Sequence, residues 1–146
     1  KITDRKKEMF KTSGGKYVAP QVVENAMKES FFIEQIMVIG DGEKMPAAFI
    51  QLNFDFVKDW AKRKGFEIGT NAEEIIKNPR LLDRIQKEID NHNKQFGNWE
   101  KVKKFELTPD IWSIESGHLT PTMKLKRKVI KEKYASLYNR IYGNND

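Results

Sequence analysis

Between Glu34 and Asn53 two largely apolar runs, EQIMVIG and PAAFIQLN, are joined through Asp41-Gly42. This pattern predicts a strand, a tight turn and a returning strand, because Asp-Gly supplies the backbone freedom that a reversal needs. The surrounding stretches, 31–40 and 47–56, are interrupted by Glu34, Gln35, Gln51 and Asn53. Neither approaches the ~18 consecutive apolar residues of a membrane-crossing helix. A buried hairpin is therefore the seed around which other elements must pack.

Helix signals flank it. Pro20 suits a first helical turn, where its missing N–H costs nothing, and Val22, Val23, Ala26 and Met27 then share one face. Asn53 predicts the cap of a helix that buries Phe56, Val57, Trp60 and Ala61 and stops at Gly65. A short helix is expected over NAEEIIKN. Asn78-Pro79 opens another, whose Leu81, Leu82, Ile85, Ile89 and Phe96 recur at near four-residue spacing. KVKKFELTP reads as a further strand, and the closing segment as a helix burying Val129, Ile130, Tyr134, Leu137 and Ile141. The opening, KITDRKKEMFKTSGGKYVAP, reads as two short strands turning at Gly14-Gly15. Strands and helices mix without a βαβ rhythm. The class is α+β: a small, mostly antiparallel sheet flanked by helices, with an N-terminal two-stranded hairpin, in one domain over 1–146.

Charge narrows the partners. The chain has 27 Lys and Arg against 21 Asp and Glu, a net +6, which favours anionic ligands. Six basic residues and one acid, Glu132, lie between Lys124 and Lys133, and the N-terminal stretch is basic too. A phosphate loop is excluded: Tyr17 stands where a metal-ligating hydroxyl is needed after Gly15-Lys16, and Phe10 where the first glycine belongs. The absence of cysteine excludes disulfides and thiolate metal sites, and fits a cytoplasmic protein. His92 and His118, the two histidines, are not at metal-ligand spacing, so no metal site is expected, and His92 is expected to be exposed. The tail LTPTMKLKRKVIKEKY keeps three readings. It is a solvated basic face, a phosphate-binding segment for nucleic acid or membrane, or a loop in which the turn Thr120-Pro121-Thr122 places one lysine for chemistry. No nucleic-acid-reading motif accompanies it.

Two stretches about a hundred residues apart, DRKKEMFKTSGGKYVAPQVVE and GHLTPTMKLKRKVIKEKY, resemble two signature regions of the adenylate-forming (AMP-forming) acyl-CoA synthetases, and within them the long-chain fatty acid–CoA ligase branch. The resemblance covers essentially the whole chain and identifies it with the mobile C-terminal domain of those enzymes. A start on KITDRKKE, without methionine, fits a piece of a longer protein whose N-terminal adenylate-binding domain lies elsewhere.

That resemblance implies a two-step reaction: a fatty acid carboxylate and ATP, with Mg2+, give an acyl-adenylate, and CoA then forms the thioester. By the same resemblance Lys124 is the adenylation lysine, in a Pro-x-Thr-x-x-Gly-Lys pattern where Thr120 is the threonine. His118 takes the proline place and Met123 the glycine place, and Lys126 is next in line. Arg5 matches a nucleotide-binding arginine that holds the ribose hydroxyls, and Lys7 the hinge. Gly14, Gly15 and Lys16 match one side of the CoA channel, with Lys11 and Lys16 as secondary contacts to phosphate or substrate. The expected partners are its own N-terminal domain, fatty acid, ATP and CoA, with peripheral membrane contact compatible and no nucleic acid. ATP and Mg2+ are expected mainly on the N-terminal domain, and the isolated domain is expected to lack turnover.

Overall fold

Strand β4 (Ala47–Leu52) is buried at every position, and the rest of the fold is arranged to cover it. The computed structural model describes residues 9–143. In order, the elements are β1 (Phe10–Lys11), β2 (Tyr17–Val18), α1 (Pro20–Met27), β3 (Ile33–Ile39), β4, α2 (Phe54–Lys64), α3 (Ala72–Ile75), α4 (Pro79–Asn93), β5 (Lys104–Thr108), α5 (Arg127–Lys133) and α6 (Ala135–Tyr142). The main sheet runs β3-β4-β5, and β1 and β2 form a separate antiparallel pair.

The expected hairpin is present, with β3 antiparallel to β4 in the register Ile36↔Ile50 and Val38↔Ala48. It begins at Ile33, one residue before the expected strand. The sheet is mixed rather than mostly antiparallel, because β5 runs parallel to β4, with Ile50 opposite Leu107. A parallel neighbour needs a long crossover, and α2, α3 and α4 supply it. One crossover of βαβ type is thus embedded in a chain that shows no such rhythm in sequence.

Alternate residues of the sheet enter two cores. Ile36, Val38, Ala48, Ile50 and Leu52 face α1, α2 and α4, meeting Val23, Met27, Val57, Ala61, Leu81, Ile85 and Ile89. Met37, Ile39, Ala47 and Phe49 face Trp112, Ile130, Tyr134 and Ile141. Burial on both faces explains why the strand sequences are nearly continuous apolar runs instead of alternating ones.

Local chemistry sets the element ends. Asn53 Oδ1 accepts from Phe56 N at 3.1 Å, and Gly65 closes α2 in the left-handed conformation. Asn78 Oδ1 accepts from Arg80 N at 2.9 Å, ahead of Pro79 in the first turn of α4. The small β1–β2 hairpin leans on the turn of the large one through Gly42 N→Lys11 O, 2.9 Å, and Ser13 N→Glu43 O, 2.8 Å. Gly40 permits this: a Cβ there would meet the Phe10 ring and Met45 O at 3.1 Å.

Several apolar positions expected in the core are at the surface. Val22 is 41%, Leu82 37% and Val129 43% exposed, while Phe56, Trp60 and Leu137 are partly buried. Phe96 lies beyond the end of α4, partly buried against the first core. The closing helix is divided at Tyr134 into α5 and α6. Among the described residues, no helix is long and apolar enough to cross a membrane.

The α4 stripe gives a direct check. Ile85 has no exposed surface and Leu82 sits at the rim. Ile85→Ala is expected to lower stability by about 2–5 kcal/mol, and Leu82→Ala by roughly 0.5 kcal/mol or less. Denaturant unfolding measures both, and equal losses would contradict this packing.

Candidate functional site

The basic tail begins as a tight hairpin. Leu119 and Leu125 form an isolated antiparallel bridge. Between them Thr120 O accepts from Met123 N at 2.8 Å, and Thr120 N donates to Lys124 O at 2.8 Å. Pro121 follows Thr120, where its fixed φ favours the turn. The Thr120 hydroxyl accepts from Lys124 N at 3.1 Å and lies 3.1 Å from the Thr122 hydroxyl. Threonine at 120 therefore binds the backbone of the lysine itself. Lys124 is exposed on this hairpin.

Met123, in the glycine place of the resembled pattern, has φ 68°, and among the described residues it is the one non-glycine with positive φ. Left-handed backbone disfavours a side chain by roughly 1–2 kcal/mol. The turn thus places a strained residue directly before the lysine. The Met123 side chain itself is 58% exposed.

The hairpin is held at both stems. Lys126 N donates to His118 O at 2.8 Å. The His118 ring is 1% exposed and stacks on Trp112, centroids 5.4 Å apart and planes 7° apart. Its Nε2 lies 2.8 Å from the Tyr134 hydroxyl, which donates to Asp110 Oδ2 at 2.8 Å. Because that phenol hydrogen goes to Asp110, the tyrosine oxygen accepts from Nε2–H. Nδ1 faces Ser116 Oγ at 2.5 Å, and that hydroxyl also lies 3.0 Å from Ser113 O. Burial pushes the imidazole pKa below its ordinary value, the Lys133 charge adds to this, and Asp110 opposes it. Burial, with the bond to Asp110, pushes the Tyr134 phenol well up. His92, expected to be exposed, is half-buried. On the other stem Arg127 makes a two-pronged ion pair with Glu24 of α1, at 2.6 and 2.7 Å.

A cleft of about 410 Å3 underlies the lysine hairpin, lined by Gln21, Glu24, Lys28, Thr120, Lys124 and Arg127 among others. Gly14, Gly15 and Lys16 are not part of its lining; they sit at the exposed tip of the β1–β2 hairpin. Gly15 has φ 85° and a Cβ there would meet nothing within 4 Å, so its own backbone requires glycine, whereas Gly14 has an ordinary φ. The Lys16 ammonium lies over the exposed Trp99 ring at 5.5 Å, and that of Lys11 over Tyr17 at 5.6 Å. Arg5 and Lys7 lie outside the described residues. Among the described residues no three His, Asp or Glu side chains gather as a metal site.

His118 and Glu24 were missed as site-supporting residues in the sequence. The one signal for His118 was its occupation of a place where the resembled pattern has proline.

The family model described as "AMP-binding enzyme C-terminal domain" matches residues 8–146. Long-chain-fatty-acid–CoA ligase FadD15 of Mycobacterium tuberculosis is 36% identical over 142 residues, covering 97% of this chain and 24% of the relative. Human long-chain-fatty-acid–CoA ligase 1 is 33% identical over 146 residues, covering 98% of this chain and 21% of the relative. The chain thus spans about a fifth to a quarter of the curated relatives it matches. The adenylation domain of a carboxylate reductase from Mycobacterium chelonae superposes with a TM-score of 0.75 at 21% identity, over 93% of this chain and 19% of that one. A Mycobacterium tuberculosis fatty acyl CoA synthetase superposes at 0.55 and 17% identity, over 92% and 21%. These superpositions support the α+β fold.

The buried imidazole makes stability depend on pH. Its folded pKa is below the ordinary 6.5, so the unfolded chain takes up the proton first as pH falls. The contribution of neutral His118 is complete above about 6.5 and is lost as pH drops through the folded value. Between about pH 7.5 and pH 5, His118→Gln should lose less thermal stability than the parent. An identical loss in both would contradict a buried neutral imidazole.

Proposed function

The chain belongs to the family of AMP-binding enzyme C-terminal domains, and on that premise we propose that it is the mobile C-terminal domain of a long-chain fatty acid–CoA ligase. The observation that carries this reading is the hairpin around Lys124, with its threonine-bonded backbone and left-handed Met123. The similarity to long-chain-fatty-acid–CoA ligases along almost the whole chain supports the choice of acid.

In the first step a carboxylate oxygen bonds to the α-phosphorus of ATP, and the bond from that phosphorus to the leaving pyrophosphate breaks. In the second, the sulfur of CoA bonds to the acyl carbon, the carbon–oxygen bond to AMP breaks, and the thiol proton is released. Negative charge develops on oxygen in both steps. A pre-positioned ammonium stabilises such charge more than it stabilises bound substrate. Lys124 serves the first step in this reading, as a compact charge on a flexible stem held by a stiff turn.

The remaining roles come from the resemblance. Arg5 holds the ribose hydroxyls, and Lys7 is the hinge about which the domain turns between steps. Gly14, Gly15 and Lys16 form one wall of the CoA channel after that rotation. The N-terminal domain holds ATP with its Mg2+ and the acyl chain, so the 146 residues alone lack turnover. A basic module without chemistry has no support from the similar proteins.

Membrane contact is a compatible addition. Lys126, Lys128, Lys131 and Lys133 are exposed in the same segment as the exposed Val129 and Met123, a combination that suits an anionic lipid surface. Failure of the chain to bind anionic vesicles at low salt would remove this addition alone.

In the intact ligase, Lys124→Ala is expected to lower ATP–pyrophosphate exchange by about 100- to 1000-fold. Thioester formation from supplied acyl-adenylate and CoA should survive. Undiminished exchange would overturn the assignment of Lys124 and direct attention to Lys126.

A further inference from the structure

The tip of the lysine hairpin, Thr120 to Lys124, overhangs the 410 Å3 cleft, while its base is packed through Leu119 and His118. Its direction must therefore come from its two stems. We infer that the Glu24–Arg127 pair is a positioning device for Lys124, fixing the backbone position from which its ammonium is presented in adenylation. This inference rests on the preceding assignment of Lys124.

The geometry is specific. Arg127 is the first residue of α5, three positions after Lys124, and no side chain caps that helix. Its two Nη atoms meet the two carboxylate oxygens of Glu24 at 2.6 and 2.7 Å. Glu24 is 4% exposed, and its Oε2 also accepts from Val38 N at 2.8 Å. Val38 lies on β3, one of the two edge strands of the sheet. The carboxylate therefore satisfies an edge N–H and grips the guanidinium at once.

The pair also ties the two helical layers together. α1 packs on one face of the sheet, and Ile130 of α5 packs on the other. A buried ion pair is a poor stabiliser compared with apolar side chains of equal volume, since desolvating both charges offsets most of their attraction. What a two-pronged carboxylate–guanidinium contact adds is direction: two parallel bonds define a plane and an angle. Lysine cannot reproduce that fork. With the plane set at Arg127 and the other stem set at His118, the short hairpin between them has one orientation over the cleft.

The test uses the intact ligase and compares Glu24→Gln, Arg127→Lys and Lys124→Ala. Each is measured for ATP–pyrophosphate exchange and for thioester formation from supplied acyl-adenylate, below its own unfolding temperature. Glu24→Gln keeps an acceptor for Val38 N–H and Arg127→Lys keeps the positive charge, and working below each unfolding temperature separates a loss of rate from a loss of fold. Each is expected to lose at least tenfold in exchange, with thioester formation within about twofold of the parent. A purely structural role would lower both half-reactions in proportion. If Lys124→Ala depresses exchange selectively while neither pair variant changes the ratio of the two rates, the positioning role is overturned. If Lys124→Ala leaves exchange intact, the assignment of Lys124 fails first, and the positioning role with it.

Discussion

Everything in this domain follows from a central strand buried on both faces. β4 is buried at every position, so the sheet needs a helical layer on each side: α1, α2 and α4 on one, α5 and α6 on the other. Two layers around a three-stranded sheet must also be joined past its edges. At the β3 edge Glu24 does this, with one carboxylate bonded to the strand and to α5. The lysine hairpin enters the fold at that junction. Its position is thus a consequence of how the sheet is closed.

The hairpin itself combines local and distant constraints. Thr120 and Pro121 define the turn from within, and the left-handed Met123 carries the strain of turning. His118, inserted between Trp112 and the Tyr134–Asp110 contact, anchors it from beneath. An exposed cation supported in this way has little freedom of backbone, while its four-carbon side chain keeps its own. That combination suits the proposed role, in which the lysine meets a partner domain in one orientation and leaves it in the other.

Legibility from sequence divides along the same line between local and distant. Asn53, Gly65 and the Asn78-Pro79 pair mark helix ends correctly because capping depends on a few neighbouring residues. The β3–β4 hairpin was legible from its two apolar runs and turn. The parallel pairing of β5 was not, since nothing in KVKKFELTP distinguishes which side of β4 it joins or in which direction. Val22, Leu82 and Val129 have helical spacing but lie at the rim of their stripes, where periodicity does not separate core from surface. In the site, Thr-Pro-Thr announced the turn and its lysine. Glu24, 103 residues before Arg127, and the Ser116–His118–Tyr134–Asp110 chain exist only once the layers pack.

On this account the domain holds the lysine hairpin in one shape before any substrate arrives. Amide hydrogen exchange of the 146-residue chain, read residue by residue by NMR, tests it most directly. The amides of Met123, Lys124 and Lys126 are bonded to Thr120 O, the Thr120 hydroxyl and His118 O. They should exchange markedly slower than the same residues in an unfolded peptide. Exchange at the unfolded rate at all three, in a chain whose β4 amides remain protected, would contradict a preformed hairpin.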